Sequence, residues 1–429
     1  MVGSQNRIDM RKRVLRLREN RYIVQIATLM SGTLMAQVIM LGFIPILTRL
    51  YTPSEFGIYS LFLAIASMIG MVSSWRYDQA IMLPKSDRDA QALLFLSMII
   101  TITMAMIVAV VLIVFYDFFL DYFQGISYLL WLLPLAVMIL GMVQIFDAYS
   151  TRKEFYKRIA TTKVSSAGIS VTLQSLSRYG FNLNGLVIGK VMAEFVSLFL
   201  LLSFHLKKQT LQLKNFSKRR IQANMKRHED FPKYQSVATL LNSFSQNIPI
   251  LLFSSLFSPA MVGFYTLTYR VMQAPVMLIA GTTRSVFYQK ASALYANKQS
   301  IYPLYKKTTI GLIKLFAVPF VVVLLFGREL FVFVFGVQWE MSGVIAEVGI
   351  LMFLFAFITP PSVVSFNILN LQKVYLKFQI AVLFMRIVAI YGGYYLYHSY
   401  LISLIAFVMV GVLHNILFMS YIKEKIQKG

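Results

Sequence analysis

Residues 96–116 read LSMIITITMAMIVAVVLIVFY and carry no charged side chain. A helix needs about 20 mostly apolar residues to cross the hydrocarbon core of a bilayer, so this run is long enough to span a membrane. The whole chain of 429 residues has the same character, because 58% of its residues are hydrophobic and only 14% are charged. The sequence therefore predicts an all-α integral membrane protein rather than a water-soluble domain.

The same hydrophobicity window predicts about twelve membrane-spanning helices. They cover residues 23–47, 56–74, 92–116, 128–149, 162–177, 184–206, 236–257, 261–282, 308–327, 343–360, 377–397 and 401–421. The fifth predicted helix is short and polar. The apolar stretch after the basic first 22 residues is longer than a cleavable signal core, which favours a first spanning helix that stays attached.

The basic residues are distributed unevenly along the chain, whose net charge is +24. Lys and Arg of short loops collect on the cytoplasmic side of membrane proteins. With a cytoplasmic N-terminus, 34 of the 41 basic residues fall in predicted inner segments, three in outer positions and four inside predicted helices. This bias supports an even number of spans and predicts cytoplasmic N- and C-termini. The segregation of charge also argues against a nucleic-acid partner.

An internal repeat relates the two halves of the chain. The tetrapeptide at residues 44–47, Ile-Pro-Ile-Leu, recurs at 248–251, and a turn with a helix start at 52–61 recurs at 258–267. An even number of spans separates the copies, so the sequence predicts two six-helix lobes related by a parallel repeat. The predicted division is a cytoplasmic basic tail at 1–22, an N-lobe at 23–206, a cytoplasmic basic linker at 207–235, a C-lobe at 236–421 and a cytoplasmic tail at 422–429.

Charged side chains inside spanning helices are candidate functional residues, because each costs about 2.5 to 3.5 kcal/mol to insert. Arg270 lies in the eighth predicted helix, five residues before Pro275. One interpretation is a water-filled cavity that receives an anion, and the other is an Arg that packs against backbone carbonyls near the outer surface. Pro45, Pro249 and Pro275 each remove a helix hydrogen bond and are predicted hinges.

Further polar side chains extend this candidate site. Asn242, Gln246 and Asn247 lie in the seventh predicted helix, where amides either bind sugar hydroxyls or join helices. Arg76 and Arg284 lie at the inner ends of the second and eighth predicted helices, at nearly equivalent positions of the two lobes. They are predicted to form the cytoplasmic rim of a central cleft, or else to be ordinary positive-inside charges.

Acidic residues inside the predicted helices are few. Lys190 and Glu194 lie four residues apart on one helix face, so an ion pair is predicted. Asp147 and Glu347 are candidates to carry a coupling proton. The chain has no cysteine and four widely separated histidines, so neither a metal site nor a cofactor is predicted.

Several motifs, taken in order, resemble one known family. They are residues 47–57 (LTRLYTPSEFG), 76–87 (RYDQAIMLPKSD), 231–234 (FPKY), 263–265 (GFY) with Arg270, and 339–340 (WE). In this order and spacing the chain resembles, over nearly its whole length, bacterial polysaccharide and O-antigen flippases of the multidrug/oligosaccharidyl-lipid/polysaccharide exporter superfamily.

The resemblance implies a two-lobed fold in which the first, second, seventh and eighth helices line a central cleft. It also implies alternating access, in which the lobes rock and open the cleft to one side at a time. The implied substrate is an undecaprenyl-pyrophosphate-linked oligosaccharide, and the implied location is the bacterial cytoplasmic (inner) membrane. A polysaccharide polymerase and a chain-length regulator are implied partners. Flipping makes and breaks no bond, so no catalytic residue is predicted.

Two other functions compete with a flippase. A cation-coupled multidrug exporter of the same superfamily shares the fold, but it calls for carboxylates in the lobes, and the first two predicted helices have none before Asp78. A membrane polymerase or glycosyltransferase of the same pathway needs a sizeable extramembrane loop, and every predicted outer loop is short. The sequence does not distinguish O-antigen, capsule or exopolysaccharide as the final polymer.

Overall fold

The computed structural model describes residues 2–122, 127–180, 185–211, 217–369 and 371–428. All regular structure in these ranges is helical and no strand occurs there, which confirms the predicted all-α class. The first nine helices are α1 Val2–Leu50, α2 Pro53–Val72, α3 Tyr77–Ala80, α4 Asp87–Val114, α5 Tyr116–Tyr122, α6 Leu133–Arg152, α7 Tyr156–Gly180, α8 Gly185–Lys207 and α9 Lys218–Arg227. The remaining seven are α10 Val237–Leu256, α11 Pro259–Ala296, α12 Tyr302–Phe335, α13 Glu340–Ile358, α14 Pro360–Ile368, α15 Gln372–Tyr397 and α16 Tyr400–Lys428.

Nine helical stretches among the described residues are long and apolar enough to cross a membrane. The chain is therefore a multi-pass membrane protein, as predicted. Helices α7, α10 and α11 cover the fifth, seventh and eighth predicted spans but are not among the nine, since they carry side chains such as Lys163, Asn242 and Arg270. The count of twelve spans and the cytoplasmic position of both termini stay predictions.

The predicted N-terminal tail and the predicted linker both contain helix. Residues of the tail predicted at 1–22 are helical from Val2 onward and continue into the first apolar stretch as α1. The linker predicted at 207–235 contains α9, whose sequence KRRIQANMKR is strongly basic. Residues 212–216 of the linker lie outside the described residues.

The chain forms two compact units. The first comprises Met1–Leu47 and Phe62–Gln246, and the second comprises Thr48–Leu61 and Asn247–Gly429. The start of α2 thus belongs to the second unit, although the sequence assigns it to the N-lobe. The lobe boundaries drawn from the sequence stay a prediction.

The two copies of the internal repeat meet inside the second unit. The equivalent glycines Gly57 in α2 and Gly263 in α11 face each other's helix start, because a Cβ on either one would overlap the carbonyl oxygen of the proline that opens the other helix. Small residues let helix backbones touch in this way inside a membrane. One turn further on, Ser60 Oγ donates a hydrogen bond to Oγ1 of its equivalent, Thr266, at 2.9 Å. This contact explains why residues 48–61 belong to the second unit.

Trp339 packs against both copies of the repeat. Its indole N–H donates to the carbonyl oxygen of Thr48 at 2.9 Å, which gives the end of α1 a hydrogen-bond partner. The edges of its ring system meet Phe56 at 5.0 Å and Phe264 at 6.0 Å between ring centroids. Trp339 is fully buried. Three motifs that carry the family resemblance therefore come together as packing around one helix crossing.

The motif that begins at Arg76 forms a buried turn in the first unit. Trp75 and Arg76 adopt left-handed backbone angles, with φ of 51° and 61°. The turn is held by Asp78, whose carboxylate accepts hydrogen bonds from Ser74 Oγ at 2.7 Å and from Gln144 Nε2 at 2.9 Å. A buried carboxylate with several donors stabilises an otherwise costly backbone conformation.

Helix α12 is broken in its C-terminal third. Phe326 has φ of −131° and ψ of 17°, which is not helical. The backbone N–H of Arg328, just past the break, donates to Oε1 of Glu347 in α13 at 2.7 Å. The side chain of Arg328 forms an ion pair with Glu340. Glu347 thus caps the helix segment that restarts after the break.

Candidate functional site: a polar cavity inside the first unit

A cavity of about 320 Å³ lies between α1, α6, α7 and α8 within the first unit. Its apolar lining is Ala36, Met40, Val143 and Ala167. Its polar lining is Thr33, Gln37, Asp147, Thr162, Lys163, Ser166, Lys190, Glu194 and Ser197. Two ammonium groups and two carboxylates therefore share one cavity in the helical interior, where charge is expensive to place without a function.

Helix α8 contributes one positive and one negative charge to the cavity. Lys190 Nζ lies 2.6 Å from Glu194 Oε1, which confirms the predicted ion pair. The close approach of α7 and α8 sets this face toward the cavity, because Gly189 lies so near the backbone of Gln174 that a Cβ would be 2.7 Å from its nitrogen. Gln174 Nε2 also donates to the carbonyl oxygen of Leu186 at 3.0 Å.

Asp147 on α6 contributes a carboxylate that forms neither a hydrogen bond nor an ion pair with the described residues. Lys163 and Glu194 lie close enough to act on its charge, with opposite signs. On the facing helix, the hydroxyl of Thr162 is buried and lacks a hydrogen-bond partner among the described residues. Buried polar groups are normally satisfied, so this cavity suits water, a proton or a small cation held between Asp147 and its neighbours.

Asp147 also lines a second cavity, of about 380 Å³, in the same unit. Val143 also lines both cavities. Gln79 and Gln144 line only the second cavity, and both donate hydrogen bonds to Asp78. Asp147 therefore stands between the polar cavity and the turn that the Arg76 motif builds. A carboxylate that faces two cavities is well placed to exchange a proton between them.

Three of the six predicted substrate-binding residues belong to the first unit. Arg76 is half-buried, and its Nη1 donates to the carbonyl oxygen of Met71 at 3.3 Å. Asn242 and Gln246 are exposed on α10. None of the three lines either cavity described above.

The other three predicted substrate-binding residues belong to the second unit. The guanidinium of Arg270 lies over the ring of Tyr59, 5.1 Å from its centroid, and forms neither a hydrogen bond nor an ion pair with the described residues. Arg284 is exposed on α11, near Tyr375. Asn247 is half-buried. The carbonyl-packed interpretation of Arg270 finds no support in these contacts.

The predicted hinge prolines lie inside helices. Pro45 lies within α1, Pro249 within α10 and Pro275 within α11, and each helix continues through its proline. The interruption in helical backbone angles at Phe326 was not predicted, because no proline directly precedes it. The hinge role of the three prolines stays a prediction.

Lys163 was missed as a site residue. The charge count assigns it to a predicted cytoplasmic segment, although the fifth predicted helix begins at residue 162. Helix α7 begins at Tyr156, so Lys163 lies about two turns inside it. A helix start at the Phe155-Tyr156 aromatic pair, rather than at the first apolar window, would have revealed it.

Apolar helices, a charged internal cavity and an internal repeat at a helix crossing together define a multi-pass membrane protein. Residues 46–343 match the family described as polysaccharide biosynthesis protein. The chain belongs to that family, and the resemblance drawn from its motifs is confirmed. No curated protein matches the sequence.

Several solved structures share the fold. The lipid II flippase MurJ in an inward closed conformation aligns with a TM-score of 0.69 at 12% identity, covering 92% of this chain and 87% of its own. An inward-facing multidrug resistance MATE family transporter of the MOP superfamily gives 0.66 at 14% identity, covering 95% and 98%. A MOP superfamily transporter from Pyrococcus furiosus gives 0.58 at 15% identity, covering 94% and 95%. At these identities the likeness concerns the fold alone.

Proposed function

We propose that this protein flips an undecaprenyl-pyrophosphate-linked oligosaccharide from the inner to the outer leaflet of the bacterial cytoplasmic membrane, by alternating access. The observation that carries the proposal is the match to the polysaccharide biosynthesis family over residues 46–343, in a chain whose apolar helices form a transporter fold. The product is the lipid-linked precursor of O-antigen, capsule or exopolysaccharide. A polysaccharide polymerase and a chain-length regulator are the proposed partners downstream.

Cationic side chains would bind the diphosphate of this substrate. Arg270 is the principal candidate, because it lies in a helix of the second unit with an aromatic ring as its described contact and has donors left for an anion. Arg76 and Arg284 are the other proposed cations. Asn242, Gln246 and Asn247 are the proposed contacts to sugar hydroxyls, for which amides supply both donors and acceptors.

Asp147 is the proposed coupling acid. Its carboxylate faces two cavities and has a lysine and a second carboxylate nearby, an arrangement in which a proton changes the local charge balance. Glu347 was the other predicted coupling acid. Its bond to the backbone N–H of Arg328 supports a structural role for that carboxylate instead.

A cation-coupled multidrug exporter is the second candidate function. The observation that favours it is the pair of carboxylates, Asp147 and Glu194, in the cavity of the first unit. Two lysines in the same lining offset their charge, and Arg270 adds a cation in the second unit, so an anionic cargo fits the charges better.

Reconstitution into liposomes with a fluorescent undecaprenyl-pyrophosphate-linked oligosaccharide tests the function. We expect the inner-leaflet label to become accessible from outside faster than in protein-free liposomes. Arg270→Ala and Arg284→Ala should each slow this movement by roughly tenfold or more, since each removes a charge-assisted contact of about 1.5 to 3 kcal/mol. Lys298→Ala, which removes an exposed cation from the turn after α11, is the control and should leave the rate unchanged.

The outcomes separate the candidate functions. Fast movement that the two Arg variants leave unaltered would keep the flippase and discard the proposed cations. If wild-type protein moved none of several glycan types, yet exported cationic dyes against a proton or sodium gradient, the multidrug exporter would replace the flippase.

A further inference from the structure

Arg386 is a charged residue near the middle of α15, a helix long and apolar enough to cross a membrane. Its guanidinium lies over the ring of Phe407, 5.0 Å from the centroid. Its Nη2 faces Gly411 of α16, where a Cβ would be 3.4 Å away. Its Nε is buried without a hydrogen-bond partner, and no ion pair to Arg386 occurs among the described residues.

The helices around Arg386 offer it no carboxylate. Helices α11 and α15 contain no acidic residue at all. The two acids of α13, Glu340 and Glu347, are both engaged with Arg328. The acid of α16, Glu424, lies thirteen positions beyond Gly411, which is about 20 Å along a helix. The positive charge of Arg386 is thus not neutralised by the protein around it.

Two phenol groups lie near Arg386. Tyr265 and Tyr269 of α11 interact electrostatically with its guanidinium, and their rings stack with centroids 5.9 Å apart. The ring of Tyr265 meets that of Phe407 at 6.4 Å between centroids, so Tyr265 and the guanidinium contact the same ring. His414 is the other titratable group near Arg386. Tyr269 is 37% exposed, so the cluster is open on one side.

We propose that Arg386, together with the hydroxyls of Tyr265 and Tyr269, binds a small anion inside the second unit. The anion is a halide or a phosphate-type oxyanion, since both accept hydrogen bonds from guanidinium and phenol groups. The favourable free energy of a single cation–π contact is smaller than the cost of removing a guanidinium from water. A bound anion would stabilise the buried charge further. The site is separate from Arg270 and does not depend on the transported substrate.

Anion titration of the purified full-length chain in neutral-lipid nanodiscs tests this site. Bromide, chloride, inorganic phosphate and inorganic pyrophosphate are each added in a gluconate buffer at constant ionic strength, and the thermal unfolding midpoint is followed. We expect a saturable rise for wild type with at least one of these anions. Arg386→Lys should raise the apparent Kd by roughly tenfold, and Arg386→Gln should abolish the saturable response.

Two further variants control the titration. Lys298→Gln removes an exposed charge from the turn after α11 in the same unit and should respond as wild type does. Tyr269→Phe removes one proposed hydroxyl and should raise the apparent Kd several-fold, which keeps the test decisive if Arg386→Gln does not fold.

The pattern of anions identifies the source. A response to bromide and chloride supports a free inorganic ion, whereas a response to phosphate and pyrophosphate alone supports a phosphate headgroup. Absence of any saturable response in wild type, or an equal response in Arg386→Gln, would overturn the proposal. A lower unfolding midpoint for Arg386→Gln, together with no anion dependence in wild type, would mean that Arg386 only packs on Phe407.

Discussion

At the scale of single residues, Gly57 and Gly263 determine how closely the two copies of the repeat pack. Replacing either by Ala places a methyl group on the carbonyl oxygen of the proline that opens the partner helix. We expect each of these two substitutions to lower the free energy of unfolding by about 1–3 kcal/mol, the usual cost of overpacking. Thermal unfolding midpoints in detergent measure the effect.

Gly311→Ala is the control for the two glycine variants, because no atom lies within 4 Å of a Cβ at that helical position. Ala also has the higher helix propensity, so this variant should be neutral or slightly stabilising. Equal midpoints for Gly57→Ala and Gly311→Ala would show that the helix crossing accommodates a methyl group and would contradict this prediction.

Asp147 carries a second prediction at this scale. Asp147→Asn keeps the size and polarity of the side chain but removes its titratable proton. If Asp147 couples proton movement to transport, the variant should flip substrate at a rate that no longer responds to an imposed pH gradient. The liposome assay with acidic and neutral interiors measures this, and Asp117→Asn, an exposed acid outside the cavity, is the control. Retained pH dependence in Asp147→Asn would exclude it as the coupling acid.

Single residues differ in how far the sequence reveals them. The Lys190–Glu194 pair was predictable, because an i,i+4 spacing on one helix leaves little choice of partner. The roles of Trp339 and Asp78 were not, because their partners Thr48 and Gln144 are distant in sequence. Spacing reports local geometry only, and these contacts arise from how the helices are arranged.

At the scale of helices, hydropathy predicted the existence of the spans better than their ends. Helix α11 runs to Ala296, well beyond the predicted end at residue 282, because residues 283–296 contain no Gly or Pro that would end the helix outside the apolar window. By contrast, α13 ends at Ile358 because Pro360 and Pro361 begin a new helix, α14. Hydrophobicity therefore predicts which part of a helix crosses the bilayer, whereas proline predicts where one helix ends and the next begins.

Helix α12 carries the prediction that belongs to this scale. Glu347→Ala removes the acceptor of the Arg328 N–H just after the break at Phe326, and we expect a loss of about 1–3 kcal/mol in the free energy of unfolding. Glu347→Gln keeps an oxygen acceptor and should lose much less. Thermal unfolding midpoints rank the two variants.

The same pair of variants tests whether Glu347 carries a coupling proton. A capping role predicts that Glu347→Gln transports with unchanged pH dependence. A stable Glu347→Gln protein that no longer responds to a pH gradient would restore Glu347 as a coupling acid and contradict its assignment as a cap.

At the scale of the whole molecule, the internal repeat was the most informative feature of the sequence. It predicted that residues 52–61 and 258–267 are equivalent, and the hydrogen bond between Ser60 and Thr266 joins equivalent residues of the two copies. It did not predict that the copies contact each other, which makes residues 48–61 part of the second unit. A repeat predicts that two segments have equivalent local structure, whereas contact between the copies is visible only in the folded chain.

The direction of transport gives the last prediction. A diphosphate-linked glycan is an anion, and in a cell that is negative inside, each charge moved outward gains about 2.3 kcal/mol per 100 mV. That energy favours the outer leaflet more than tenfold per charge, so a flippase of this cargo can be driven by the membrane potential.

In liposomes containing the reconstituted protein, a potassium gradient with valinomycin should speed movement away from the negative side and slow it when the gradient is reversed. Arg270→Ala should lower both rates without changing their ratio, since the ratio depends on the charge of the cargo. A rate that stays the same after the potential is collapsed would rule out this driving force and leave the proton at Asp147 as the alternative.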